Sequence, residues 1–155
     1  MTRTVKEIFQ ELENMENDKE ILKELRKITK NKENWNIVID EVATKLNGNY
    51  SVDVKSKVLW LIGEMGLNNP VKIKKYVDDI ATYLKDDSPK LRERSVNALG
   101  RIGRADKNLI IPFLDKIIKM KEDEVEKVRL SFVWACENIA TNAPELFYDK
   151  LDTFF

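Results

Sequence analysis

One cysteine, a spaced series of aspartates, two tryptophans and a cluster of arginines are the residues of this chain with chemistry to offer. Arg92, Arg94, Arg101 and Arg104 are four of its seven arginines, and residues 88–107 hold six cations against two acids. Guanidinium forks pair bidentately with carboxylate or phosphate, so the cluster suits an anionic partner. The competing reading is a solvated surface of mixed charge, with Arg92 spent inside the fold. Trp60 and Trp134 have Asn97 midway between them. Tryptophan exposed on a binding face is a common energetic anchor; the alternative is a ring folded over its neighbours as core filler. Both readings stay open on sequence alone.

Catalytic chemistry finds little support. The chain has no histidine, so the commonest general base and the commonest transition-metal ligand are missing. One cysteine without histidine cannot build a zinc site, and no glycine-rich phosphate loop occurs. Cys136 falls in a row otherwise occupied by Ile62 and Leu99, the position of an inert buried thiol. The row Asp40, Asp78, Asp115 and Asp152 invites a metal reading. Stacked helices would hold these carboxylates roughly 10 Å apart, too far to share an ion. Hydrogen bonding between successive units is the expected role. No cofactor and no metal are expected.

Composition narrows the class. At 155 residues the chain fits one domain, 1–155. Its 27 cations balance 27 acids, so it lacks the overall basic signature of a nucleic-acid binder. A single cysteine forbids an internal disulfide and suits a reducing, cytoplasmic location. No apolar run approaches the roughly 20 residues of a membrane span. Five glycines, four prolines and no alternating segments point to an all-α protein.

The elements that must position these residues repeat. The pairs Val54-Lys55, Leu91-Arg92 and Val128-Arg129 recur at a 37-residue period, which holds without a gap from Val54 onward. In that register Trp60 aligns with Asn97 and Trp134, Gly63 with Gly100, and Met65 with Ile102 and Ile139. A fixed period of this size means stacked supersecondary units. Within each period two helical stripes appear: Ile73, Val77, Ile80, Ala81 and Leu84, then Leu91, Ser95, Ala98, Leu99 and Ile102. Met1, Val5, Ile8, Phe9 and Leu12 show the same spacing.

These stripes predict helices at 2–14, 18–30, 33–47, 51–66, 70–85, 88–103, 107–120, 124–141 and 144–154. Paired, they give hairpins over 2–30, 33–66, 70–103 and 107–141, and a terminal helix. Ser88-Pro89, Asn69-Pro70, Ala143-Pro144, Ser51 and Asp18 are the expected starts. Gly66 and Gly103 are expected to close helices in the left-handed conformation. Asn47-Gly48-Asn49 reads as a turn, and Pro112 as a kink or a start.

The run from Leu91 to Gly103, LRERSVNALGRIG, resembles the second helix of a HEAT repeat, in the subtype shared with bilin-lyase-type domains. Asp86 precedes Arg92 by six residues, as Asp123 precedes Arg129. The resemblance implies an inter-repeat Asp–Arg ladder and a right-handed α-solenoid of about four hairpins. It also implies a concave surface lined by the second helices. Near Asp18 the first unit lacks the basic residue of that ladder. The resemblance says little of function; the arginines and tryptophans lead us to expect a non-catalytic scaffold binding a protein partner, acidic or amphipathic, through Trp60, Arg94, Asn97, Arg101, Arg104 and Trp134. Nucleic acid is the alternative, since the surface is similar in part to the basic, tryptophan-bearing track of HEAT-like DNA glycosylases. A bilin-lyase-like accessory role is the other alternative. The C-terminal segment places Phe147, Leu151, Phe154 and Phe155 on core rows of a unit without a second helix. That arrangement suits a homodimer interface or a simple cap.

Overall fold

The computed structural model describes residues 4–154, and the side chains of residues 4–150. Every regular element among them is helical. Three helices of equal length organise the chain: α3 (Val52–Asn68), α6 (Pro89–Ala105) and α8 (Glu126–Asn142), each 17 residues long and each starting 37 residues after the last. They pack in that order, α6 between the other two. A longer helix, α1 (Val5–Lys30), opens the chain, and shorter ones precede the three: α2 (Trp35–Thr44), α4 (Pro70–Ile73), α5 (Val77–Thr82) and α7 (Leu114–Lys119). Helices α2 and α4 lie against α3, and α5 against α6. One continuous core runs from Leu25 to Phe147.

Small residues let the three long helices approach closely. A Cβ on Gly63 would meet Ala98 Cα at 2.9 Å, and one on Gly100 would meet Ala135 Cα at 2.7 Å. The equivalent position on α8 is Glu137, which is exposed. Gly66 and Gly103 are not helix closers: no described glycine has positive φ. Both are buried inside their helices, where a Cβ would strike Ile102 and Ile110 respectively, each at 2.7 Å. The helices end instead at Asn69, Asp106 and Ala143, three residues beyond them in register.

The first expected hairpin does not form. The apolar stripes predict separate helices over 2–14 and 18–30, with Asp18 capping the second. From Val5 the chain is one helix of 26 residues, opened by a capping box in which Thr4 and Glu7 satisfy each other's backbone N–H. No glycine or proline occurs before Gly48, so nothing interrupts the helix at Asp18. Only its C-terminal half packs, through buried Leu25 and half-buried Ile21, Leu22 and Ile28. Val5, Ile8, Phe9, Leu12 and Met15 are exposed, between 42% for Ile8 and 69% for Val5.

The helices expected at 33–47, 70–85 and 107–120 are broken by three-residue 3₁₀ turns. Such turns close each of them, at Lys45–Asn47, Tyr83–Lys85 and Met120–Glu122, and bury Leu46, Leu84 and Met120. Pro112 sits in a 3₁₀ turn, Ile111–Phe113, directly ahead of α7, where its missing N–H costs least. Pro70 opens α4 behind an Asn69 cap, and Ser51 accepts the Val54 N–H. Ser88 occupies the cap position of α6 without a side-chain bond; its own N–H donates to Asp86. The last element, Pro144–Phe154, is 3₁₀ rather than α. Phe147 is 6% exposed and belongs to the core, so it is not available as an assembly contact. It packs with the core residues that end at this element. The side chains of Leu151, Phe154 and Phe155 lie outside the described residues.

Candidate partner-binding face

One side of α3, α6 and α8 carries the residues singled out by type. The 37-residue register sets them in columns across the three helices: Asp53, Lys90, Lys127; Lys57, Arg94, Ser131; Trp60, Asn97, Trp134; Glu64, Arg101, Asn138. Two depressions lie between the helices. The first, bounded by α1, α3 and α6, is lined by Leu22, Lys57, Trp60, Lys90 and Arg94. The second, between α6 and α8, is lined by Glu93, Asn97, Arg101, Lys127, Leu130 and Trp134.

The two tryptophans have different surroundings. Trp60 is half-buried against the core, with Lys57 Nζ 4.3 Å from its ring centroid. Trp134 is 39% exposed, and the Arg101 guanidinium lies 4.8 Å over its ring. Each ring is therefore topped by a cation at a distance where the π-face attracts it. Trp60 packs partly on the core, and Trp134 is the more exposed of the two. The third tryptophan, Trp35, is core: it is 4% exposed and its indole N–H donates to the Ile28 carbonyl at 2.8 Å.

The arginines divide three ways. Arg92 faces Asp123 of the next unit, with Nε and Nη2 at 2.9 and 3.2 Å from its two oxygens. Burial raises the Asp123 pKa, but the bonds from Arg92 and the Val125 N–H and the nearby positive charges outweigh it and hold the carboxyl below its usual value. Arg92 and Arg129 also donate to the carbonyls of Asp86 and Asp123 respectively, each six residues back. Arg101, expected to be free, is tied to Glu64 at 2.6 Å, with its side chain only 14% exposed. Glu64 lies one period before it in the same column, a signal the sequence did contain. Burial pushes the Arg101 guanidinium down, and Glu64 opposes that shift. Its Nη1 and the neighbouring Asn97 Oδ1 are buried without a hydrogen-bond partner.

Arg94 and Arg104 remain available. Arg104 is exposed and reaches only Asn138, at 3.3 Å. Arg94 is half-buried and has no acidic partner among the described residues. It crowds other cations: burial, then Arg94 and Arg26, push the Lys57 pKa down. Of the acids on this face, Asp53 pairs with Lys90 at 3.2 Å and Glu64 with Arg101. Glu93 lines the second depression with Lys127, without an ion pair between them. Lys57 and Lys127 were not singled out from sequence, although their columns contain Arg94 and Lys90.

No family model and no curated protein matches this chain.

The other candidates resolve differently. Asp40 accepts from the Tyr76 hydroxyl and pairs with Lys75 at 3.1 Å; these hydrogen bonds hold its carboxyl low. Asp115 pairs with Lys150 at 3.3 Å. Asp78 makes no such rung, because the residue in register with Tyr76 is Phe113, which has no hydroxyl. The Asp152 side chain lies outside the described residues. Among the described residues no three His, Cys, Asp or Glu side chains gather to hold a metal. Burial pushes the Cys136 thiol up to about 12, far from a reactive thiolate. No helix among the described residues is long and apolar enough to cross a membrane.

Proposed function

We propose that this chain is a HEAT-like α-solenoid in a right-handed superhelix, working as a non-catalytic scaffold in the cytoplasm. Its α3–α6–α8 face is the concave surface, and it takes an acidic, amphipathic helical segment of a protein partner. The observation that carries this reading is the pairing of each exposed or half-exposed indole with a cation, next to Arg94 and Lys127, which lack acidic partners. An apolar ridge on the partner would seat between Trp60 and Trp134, and its flanking carboxylates would meet the arginine and lysines. Asn97 Oδ1 and Arg101 Nη1 are buried beneath this face and take no part in the contact proposed.

The test uses an acidic amphipathic helical peptide of about 15 residues, the lysine-substituted version of it, and a single-stranded DNA. Tryptophan fluorescence should report saturable binding of the acidic peptide alone. Arg94→Glu with Lys127→Glu should abolish that binding while the helical circular dichroism is kept. DNA binding that falls steeply with salt, without peptide binding, would overturn the reading in favour of nucleic acid.

A further inference from the structure

The chain itself carries a segment of the kind this face would take. The N-terminal half of α1 has an apolar stripe, Val5, Ile8, Phe9, Leu12 and Met15, at helical spacing and exposed to solvent. Residues 5–20 hold six acids against two lysines. At 100° per residue Glu13 flanks the stripe and Glu16 falls on it. The stripe touches nothing of its own core, and because α1 is unbroken to Lys30 it cannot fold back without losing helix. We propose that this arm binds the α3–α6–α8 face of a second copy of the chain, and that the exchange is reciprocal.

Three observations favour that occupant. The arm is acidic where the face has spare cations, Lys57, Arg94 and Lys127. Its sixteen residues span about 24 Å, enough to cross three helices packed roughly 8–10 Å apart. The competing arrangement, stripe against stripe between two arms, brings Glu13 and Glu16 of one copy against those of the other, and like charges oppose it. Reciprocal exchange closes as a two-fold dimer, with one arm and one face used in each copy.

This inference rests on the proposed face, and the experiment separates the two. Sedimentation velocity on the full chain should show a dimer. Glu13→Lys with Glu16→Lys on the arm, or Arg94→Glu with Lys127→Glu on the face, should each weaken it at least about tenfold. An equimolar mixture of the two variants should recover the dimer, because each reversed arm then meets a reversed face. Recovery also shows that both variants fold. A wild type that stays monomeric at about 100 µM overturns the proposal. So does a face variant that remains dimeric while the arm variant dissociates, the pattern of arm–arm pairing. A mixture that stays monomeric overturns it as well. If the dimer fails but the acidic peptide still binds, the face reading stands; if both fail, both fall.

Discussion

Gly100→Ala sets two effects of known size against each other. Alanine is the better helix former by about 1 kcal/mol inside a helix such as α6, and Gly100 has no positive φ to lose. Propensity alone therefore predicts a more stable protein. The packing predicts the reverse. The added methyl would stand 2.7 Å from Ala135 Cα and 2.8 Å from Ala135 Cβ. That is roughly 0.7 Å inside the ~3.5 Å at which carbon atoms attract. Neither atom belongs to a flexible side chain, so no rotamer change relieves the clash. Helices α6 and α8 must part instead, loosening Val96 and Leu99, both fully buried. Overpacking of this kind costs about 1–3 kcal/mol, and the rigid neighbour puts it near the top of that range. The net expectation is a loss of about 1–2 kcal/mol. Urea unfolding followed by circular dichroism measures it. Ala135→Gly in the same chain should recover part of the loss, giving a favourable coupling of about 1–2 kcal/mol in the double-mutant cycle. A Gly100→Ala protein more stable than wild type, or a cycle that is simply additive, would refute the close-approach argument.

Asp123→Asn should cost about 2–3 kcal/mol at neutral pH, since it leaves the largely buried Arg92 without its charge partner. Asp123 has a depressed pKa, so its contribution is present above the ordinary aspartate value of 3.8 and is lost as pH falls through the folded value; urea midpoints of the two proteins should converge in that acid range. Trp35→Ala should destabilise by about 3–5 kcal/mol and Trp134→Ala by under about 1 kcal/mol, so thermal unfolding that ranks them equally would contradict the burial difference. Cys136, raised from 9.0 to about 12, should react with a thiol reagent at pH 8 roughly a thousandfold more slowly than an ordinary thiol and speed up on unfolding; rapid modification of the native protein would count against a buried thiol.

The long helices were legible because the positions that pack them recur at one spacing, and their observed starts, Val52, Pro89 and Glu126, keep it. The unbroken α1 was not legible: its apolar stripes at 5–15 and 21–28 look like two helices, and only the missing breaker between them argues otherwise. Gly66 and Gly103 were misread because a glycine near a helix end suggests a cap, whereas here the close approach of isoleucines requires it. The site was half legible. Reading α6 as one helix found Arg94, Arg101 and Arg104, but Arg101 is claimed by Glu64 on α3, and only comparison across units exposes that pair. The tryptophan row was visible, yet its two rings differ in burial because Trp60 has α1 beside it and Trp134 has no counterpart of α1.

Glu137 has a consequence for growth. An array of like units can lengthen indefinitely if its last face matches its first, and α8 exposes Leu130 and Val133 as an apolar invitation to do so. A further helix docking as α8 docks on α6 would need a residue without a side chain at the crossing point, where Gly63 and Gly100 stand on α3 and α6. Glutamate there brings bulk and a charge that would be stranded on contact. A helix arriving on α8 in the orientation α8 takes on α6 therefore finds no seat at Glu137. Glu137→Gly would remove that obstacle and leave the exposed Leu130 and Val133 open to a helix in this orientation.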